Sequence, residues 1–506
     1  MLAGTSSQVA QPLSWRWVQV EKLPVPSTPT STPILLSLKE RDMNRPTKIV
    51  CIGAGSYSFG LTTLVSFLRS DTLRGSELVL VDRNEDHLEI MFKLVKWLNE
   101  VWGSEIKLSA HTHHHEALKD AKFVVNAIEV GDREALWESD FRIPLKYGVR
   151  QPYAENGGPG GFAHAARNIM PILEIAWDME DLCPDALLIN FTNPMQRICA
   201  AVHRHSKIKI VGLCHQLGAG YAMVGKALAD DLDISVPPSF TSTHASPKYI
   251  PGMTATSLQA LEKVKITAAG VNHFTWMLAL RDRRTGEDLY PLFRKRWKDL
   301  PNNFEPLTQR VFDAFGLFPI PGDEHLCEYL PWVSDTTTKP WEKYEIELYE
   351  WQQHSQEREE NWLQLEKATQ TKRNPEEYVP SYSEGALEVI ENIQNDSDLL
   401  WEAVNIPNQG QIPNLPEGAI VELPGLLNAT GVTGIHLDVM PDGIVELLRR
   451  EITVSHLTAD AVVNGDRNLA LQALLLDPIV RDMDTAGQIL EDYLSIYKKY
   501  LPTFWS

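Results

Sequence analysis

The chain has 506 residues, 43% of them hydrophobic, and carries 47 Lys and Arg against 67 Asp and Glu, a formal net charge of −20. That length exceeds one ordinary core, so two domains or one with large insertions are expected, and the acidic balance argues against nucleic acid or an anionic membrane as the main partner. No run of about 18 apolar residues is present, so no membrane span is expected, and the five scattered cysteines (Cys51, Cys183, Cys199, Cys214 and Cys327) speak for a reducing cytoplasm rather than a disulfide framework.

Residues 1–45 read as a disordered N-terminal extension. Pro24 to Pro33 is PVPSTPTSTP, a linker composition with nothing to pack. No basic stretch precedes an apolar one, so the segment is a poor signal peptide. Met43 stands just before the first expected strand and is the expected natural start, which an intact mass of the native protein would test.

Residues 46–235 read as a nucleotide-binding domain. KIVCIGAG at 48 to 55 is a short β run into a glycine turn, and Leu61 to Leu68 has helical periodicity. Gly53 permits the tight turn, and Gly55 lets a pyrophosphate approach the backbone beside Ser56. Ser58 replaces the third fingerprint glycine, so the motif is incomplete. The next run, Glu77 to Val81, ends in Asp82, placed to bind a ribose diol and to repel a 2′-phosphate. This favours NAD, while Arg83 keeps NADP open. Ala121 to Ala127 reads as a further strand. His111, His113, His114 and His115 resemble a metal cluster but precede a helical stretch and read as solvated.

Residues 155 to 171, ENGGPGGFAHAARNIMP, read as a flexible loop that could close over a ligand, with a helix from near Phe162 carrying Arg167. The apolar run Ala186 to Phe191 ends in Thr192-Asn193-Pro194. Pro194 stops the strand and presents the Asn193 amide at the carboxyl rim, where ligands of open α/β sheets bind. Ile208 to Val211 leads into Gly212-Leu213-Cys214-His215-Gln216 at the same rim. A thiolate and an imidazole there can hold a transition metal or move protons. Residues 236–506 read as a mixed α/β second domain for substrate, metal and oligomerisation. Within it, GVNHF at 270 to 274 carries His273, which could complete a site with Cys214, although their separation is no zinc-finger spacing. GDEHLCEYL at 322 to 330 is dense in acid–base groups, among them Asp323, His325 and Tyr329. Tyr329 needs a lowered pKa to act as a base, and a nearby cation would provide it. Residues 341 to 372, 383 to 393 and 443 to 475 read as helical, and 413 to 434 as a loop-and-strand return.

Taken together, IGAGS at 52 to 56, NGGPGG at 156 to 161, FTNPM at 191 to 195, GLCHQ at 212 to 216, GVNHF at 270 to 274, HLCEYLPW at 325 to 332 and the stretch 414 to 432 resemble glycoside hydrolase family 4 from Lys48 to near the C-terminus. The resemblance implies an α/β fold with a Rossmann-like doubly wound parallel sheet and a mixed α/β second domain, as in lactate and malate dehydrogenases. It implies NAD and a divalent metal, usually Mn2+, as cofactors. Cys214 and His273 are the implied metal ligands, Gly53, Gly55, Ser56 and Asp82 the NAD site, and Asn193 and Arg167 substrate-binding residues. His215 takes the general-acid position and Tyr329 that of the base, with Asp323 or His325 as candidates to share it. The His at 215 resembles the α-galactosidase and α-galacturonidase branch. HAARNIMP at 164 to 171 and GLCHQLGAG at 212 to 220 depart from the family's usual runs.

The implied chemistry differs from the two-carboxylate glycosidases. Hydride leaves sugar C3, the resulting ketone acidifies the C2 proton, and Tyr329 removes it. The C1–O bond then breaks as His215 protonates the leaving oxygen. Water adds, and the hydride returns. A cytoplasmic homodimer or homotetramer acting on a small glycoside is expected. An NAD-dependent dehydrogenase of a hydroxy acid or sugar acid is the alternative, and Arg133, Arg150, Arg167 and Arg197 are candidates for a carboxylate-bearing substrate.

Overall fold

The computed structural model describes residues 46–56, 60–151, 153–244, 246, 248–372, 374–379 and 385–505. The expected extension, Met43 and Ser58 lie outside them. Six strands form the first half of one sheet: β1 (Lys48–Ile52), β2 (Glu77–Val81), β3 (Lys107–His111), β4 (Phe123–Asn126), β5 (Leu187–Asn190) and β6 (Lys209–Gly212). They pair in parallel in the order β3-β2-β1-β4-β5-β6. This is the doubly wound dinucleotide-binding order. The central strands are apolar without alternation because both faces are covered. Ile49, Leu78, Phe123, Ile189 and Val211 pack into one core and Val50, Val79, Val124, Leu188 and Ile210 into another.

Past β6 the sheet continues with strands from the second half of the chain. They are β7 (Val264–Val271), β8 (Phe274–Asp282), β9 (Phe318–Pro319), β10 (Leu399–Pro407), β11 (Ile420–Asn428) and β12 (Gly431–Gly434). The order runs β6-β10-β11-β7-β8-β9, with β12 on β11, and each of these pairings is antiparallel. Gly212 makes the junction possible, since a Cβ there would lie 3.0 Å from Asn405 Cβ and 2.6 Å from Met195 Sδ. With helices packed on this half, the second part of the chain is the mixed α/β structure that was expected.

Local expectations held for β1, β2, β4, β5 and β6 and for the helices Gly60–Leu68, Trp351–Thr371, Asp442–Asn464 and Arg467–Leu476. The glycine run after Asn156 is different from the expected loop. Gly158 to Gly161 form the first turn of a 25-residue helix, Gly158–Leu182, and all four residues are buried. Small residues are used there for close packing: a Cβ on Gly157 would lie 2.6 Å from the Glu328 carbonyl oxygen. No helix among the described residues is long and apolar enough to cross a membrane.

Candidate active site

Gly53 sits in the turn after β1 at φ +82, and a Cβ on it would lie 2.5 Å from the Ala127 carbonyl oxygen. Gly55 packs its backbone against the next strand end, where a Cβ would lie 2.7 Å from Asp82 Oδ2. One Asp82 oxygen accepts from the Gly55 N–H (2.8 Å) and the other from the Asn84 N–H (2.8 Å). Each oxygen keeps a lone pair for a ribose hydroxyl. The Ser56 N–H donates to the Gly53 carbonyl (2.9 Å), closing the turn before the Gly60–Leu68 helix. Glycine is needed at both places because the turn packs directly on the ends of β4 and β2, and a strand–turn–helix beside a held carboxylate fits a dinucleotide.

At the ends of β4 and β5, Asn126 Nδ2 donates to Asn190 Oδ1 (2.8 Å) and Thr192 Oγ1 (3.1 Å), and Thr192 Oγ1 donates to the Ile128 carbonyl (2.8 Å). These buried amides fix the chain just before the cis Asn193-Pro194 bond. Asn193 Nδ2 donates to Glu155 Oε1 (3.3 Å), while its buried Oδ1 has no protein partner.

The β7–β8 turn carries His273 in the left-handed region (φ +60), a conformation seldom adopted outside glycine, asparagine, aspartate and histidine. Its Nε2 lies 3.1 Å from Cys214 Sγ beyond the end of β6. The sheet order produces this meeting. Gly212, Asn405, Glu422 and Gly270 follow one another across β6, β10, β11 and β7. The buried Glu422 Oε2 accepts from Asn405 Nδ2 (2.9 Å) and Asn272 Nδ2 (2.6 Å), tying the His273 turn to the middle of the sheet. His325 stacks on His273 with ring centroids 4.2 Å apart. Ligand atoms of Glu155, His273 and His325 all lie within 4.8 Å of one another. Burial, then the charges of His325 and His215, push the His273 imidazole well below its usual range, so it is neutral and able to ligate. Its Nδ1 is buried without a hydrogen-bond partner. Sulfur, imidazole and carboxylate donors converging on one space fit a divalent transition metal.

Glu328 organises this corner. Its Oε1 accepts from the backbone N–H groups of Glu155 (2.9 Å), Asn156 (2.8 Å) and Gly157 (3.1 Å), and its Oε2 lies 3.1 Å from His325 Nδ1. Burial alone would lower His325; the hydrogen bond and charge of Glu328 raise it instead. Tyr329 is stacked on Phe274 at 4.8 Å, with its hydroxyl 3.5 Å from the Asn272 carbonyl oxygen. Burial, followed by the charges of Glu328 and Glu451, pushes that hydroxyl well above its usual range, while Arg197 opposes them. A small cavity beside it is lined by Asn156, Arg197, Asn272, Glu451 and Ser455. His215 follows Cys214 in the chain, is exposed, and its charge bears on His273.

Two of the expected residues lie elsewhere. Arg167 points away from this space and into the protein. Its guanidinium makes a two-pronged bond to Asp140 (2.7 and 2.6 Å) and lies over the Tyr497 ring at 4.6 Å, so it serves packing and does not reach the site. Asp323 accepts from the Leu307 and Thr308 N–H groups (2.8 and 2.7 Å) and anchors the Pro306–Phe315 helix. Of the alternatives to Tyr329, His325 is at the site and Asp323 is not. His114 and His115 share one Asp178 oxygen (2.9 and 3.2 Å); His115 is exposed as expected, whereas His114 is part-buried against Asp178 and departs from the solvated reading. Sequence reasoning overlooked Glu155 and Glu328. The available signal was an acid separated from the glycine run only by Asn156, and another directly before Tyr329. Of the arginines considered for a substrate carboxylate, Arg133 is at this corner, its Nη2 paired with Glu155 Oε1 at 3.2 Å.

The family model described as family 4 glycosyl hydrolase matches residues 48–231, and that of the family 4 glycosyl hydrolase C-terminal domain matches residues 268–480. An alpha-glucosidase of Erwinia rhapontici is 32% identical over 90% of this chain and 99% of its own length. An alpha-galactosidase of Bacillus subtilis is 27% identical over 90% of this chain and 99% of its own. Among solved structures, a 6-phospho-beta glucosidase of Thermotoga maritima, determined with manganese, NAD+ and glucose-6-phosphate, superposes with a TM-score of 0.70 at 24% identity. It covers 90% of this chain and 99% of that one.

Proposed function

The chain belongs to family 4 of the glycosyl hydrolases and is a glycosidase, and on that premise we propose that it uses NAD and a divalent metal, Mn2+ by preference, to cleave α-galactosides or α-uronides. The observation that carries this reading is the convergence of Cys214, His273 and Asn193 on one carboxyl rim of the sheet that also bears Gly53, Gly55 and Asp82. Cys214 and His273 would hold the metal, with Glu155 and His325 in reach of the same space, and Gly53, Gly55, Ser56 and Asp82 the dinucleotide. When bound, the two groups supply a reversible hydride acceptor and a Lewis acid.

The protein's own residues do the rest. Asn193 offers its unpartnered carbonyl oxygen to a sugar hydroxyl. Tyr329 takes the proton from sugar C2. Its hydroxyl is held protonated by burial and by the Glu328 and Glu451 carboxylates, so positive charge on its open side is what makes it a base. Arg197 supplies some of that charge. His215, exposed beside Cys214, would protonate the glycosidic oxygen as the bond at C1 breaks. Glu328 fixes the approach, because one carboxylate holds both the 155–157 backbone and the His325 ring.

The test is a panel of p-nitrophenyl α-galactoside, α-glucoside, α-galacturonide and α-glucuronide with NAD+, Mn2+ and a reductant. The expected result is p-nitrophenol release that needs both additions, without net NADH. The Erwinia relative favours a second reading for the sugar alone, an α-glucoside, and the same panel separates it. Stoichiometric NADH with no cleavage would overturn the glycosidase mechanism in favour of a dehydrogenase.

A further inference from the structure

The Trp351–Thr371 helix has a composition that no core requires: it is rich in Glu and Gln, and only Trp351, Trp362 and Leu365 of its residues are buried. Yet it packs against two helices on opposite sides of the nucleotide crevice, Glu85–Trp102 after β2 and Arg133–Leu145 after β4. On the first bank, Trp362 stacks flat on His87, with centroids 3.9 Å apart and planes at 13°. His87 is itself a near neighbour of the glycine turn, since a Cβ on Gly55 would lie 3.0 Å from His87 Cβ. On the second bank, Arg358 Nη2 pairs with Glu134 Oε1 in the first turn of the helix that follows β4. The ends are fastened too. Tyr349 stacks on Trp137 at 4.1 Å. Beyond the helix, Glu376 accepts from Trp102 Nε1 (3.2 Å) and pairs with Arg69 (3.2 Å).

The adenosine half of a dinucleotide seated at Gly53, Gly55 and Asp82 lies at the carboxyl ends of these same strands. We propose that the Trp351–Thr371 helix is a strap across that half of the site, with Trp362 and Arg358 as the residues that retain the dinucleotide. The inference rests on the cofactor reading above and gives the strap a purpose. A reaction that returns its hydride within each turnover leaves the cofactor unchanged, so the cofactor has no need to exchange, and a covered site is an advantage. A dehydrogenase must release its reduced cofactor at each turnover and would be slowed by the same strap.

The experiment measures release of radiolabelled NAD+ from the full-length protein during a chase with unlabelled NAD+. Trp362→Ala, Trp362→Phe, Arg358→Gln and, on the exposed side of the same helix, Leu363→Ala are compared with the parent, each first checked for folding by circular dichroism. Because contact losses act mainly on dissociation, Trp362→Ala and Arg358→Gln should each release label about tenfold faster, while Trp362→Phe and Leu363→Ala should stay near the parent rate. Should Trp362→Ala not fold, Arg358→Gln carries the test, as its side chain is part-exposed and no core packing is lost. Release at the parent rate from folded Arg358→Gln and Trp362→Ala overturns the strap and leaves the cofactor site standing. A parent protein that does not bind NAD+ overturns the cofactor reading and the strap with it.

Discussion

Cys214 Sγ and His273 Nε2 stand 3.1 Å apart although 59 positions separate them in the chain. The relationship is built by four strands. Cys214 lies two residues past the end of β6 and His273 two past the end of β7, and β10 and β11 fill the space between with Asn405 and Glu422 in register. Removing either ligand is expected to weaken Mn2+ binding at least about 100-fold, beyond the loss typical of an outer-sphere partner. Electron paramagnetic resonance of free Mn2+ in titrations of Cys214→Ser and His273→Ala checks this. Retained affinity in both would move the metal to Glu155 and His325.

Tyr329→Phe removes a hydroxyl whose one hydrogen bond among the described residues is long, 3.5 Å to the Asn272 carbonyl. Little stability should be lost. Turnover of the best glycoside should fall by about 10²–10⁴, the usual range for a general base, with NAD+ and Mn2+ affinities unchanged. Activity within a few-fold of the parent would send the base role to His325.

Arg167 and Asp140 are both fully buried, and breaking such a pair typically costs about 3–5 kcal/mol because one charge is left uncompensated. Arg167→Ala is therefore expected to lower the unfolding midpoint strongly, while the folded fraction keeps its KM for glycoside. A raised KM at unchanged stability is the outcome that returns Arg167 to substrate binding.

Glu451 lines the cavity beside Tyr329 and is pushed up to about 8 by burial and by the charge of Asp477, against the pull of Arg197 and Arg450; Glu328 adds a smaller push. In the unfolded chain it ionises near the ordinary value of 4.5. Between those limits the native state holds a proton that the unfolded state has released, so stability must fall as pH rises through this window. Glu451→Gln stays neutral and keeps the shape. Urea unfolding from pH 5 to 8 should show a shallower decline in the variant than in the parent, and equal slopes would clear Glu451 of this effect.

The strands that end at the site were readable because each is a short apolar run closed by its own turn residues. Lys48 to Gly55, Glu77 to Asp82 and Ala186 to Pro194 carry their structure locally. The helix from Gly158 misled because a glycine run reads as a loop unless one knows that Glu328 is packed against it. Arg167 misled for a related reason: periodicity places it on a helix but does not say that Asp140 waits on the buried side.

Sequence alone determined the doubly wound nucleotide half, the glycine turn with Asp82, and the residue types that can ligate, polarise and transfer protons, since hydrophobic period and turn chemistry are properties of neighbouring residues. Tertiary structure decided which of them meet. It brought His273 to Cys214 through the β6-β10-β11-β7 order, recruited Glu155 and Glu328, withdrew Arg167 and Asp323 into packing, and laid Trp362 across His87. Those outcomes depend on antiparallel pairings and buried ion pairs between segments far apart in the chain, and no local pattern encodes the partner of a side chain that is satisfied only in the folded core.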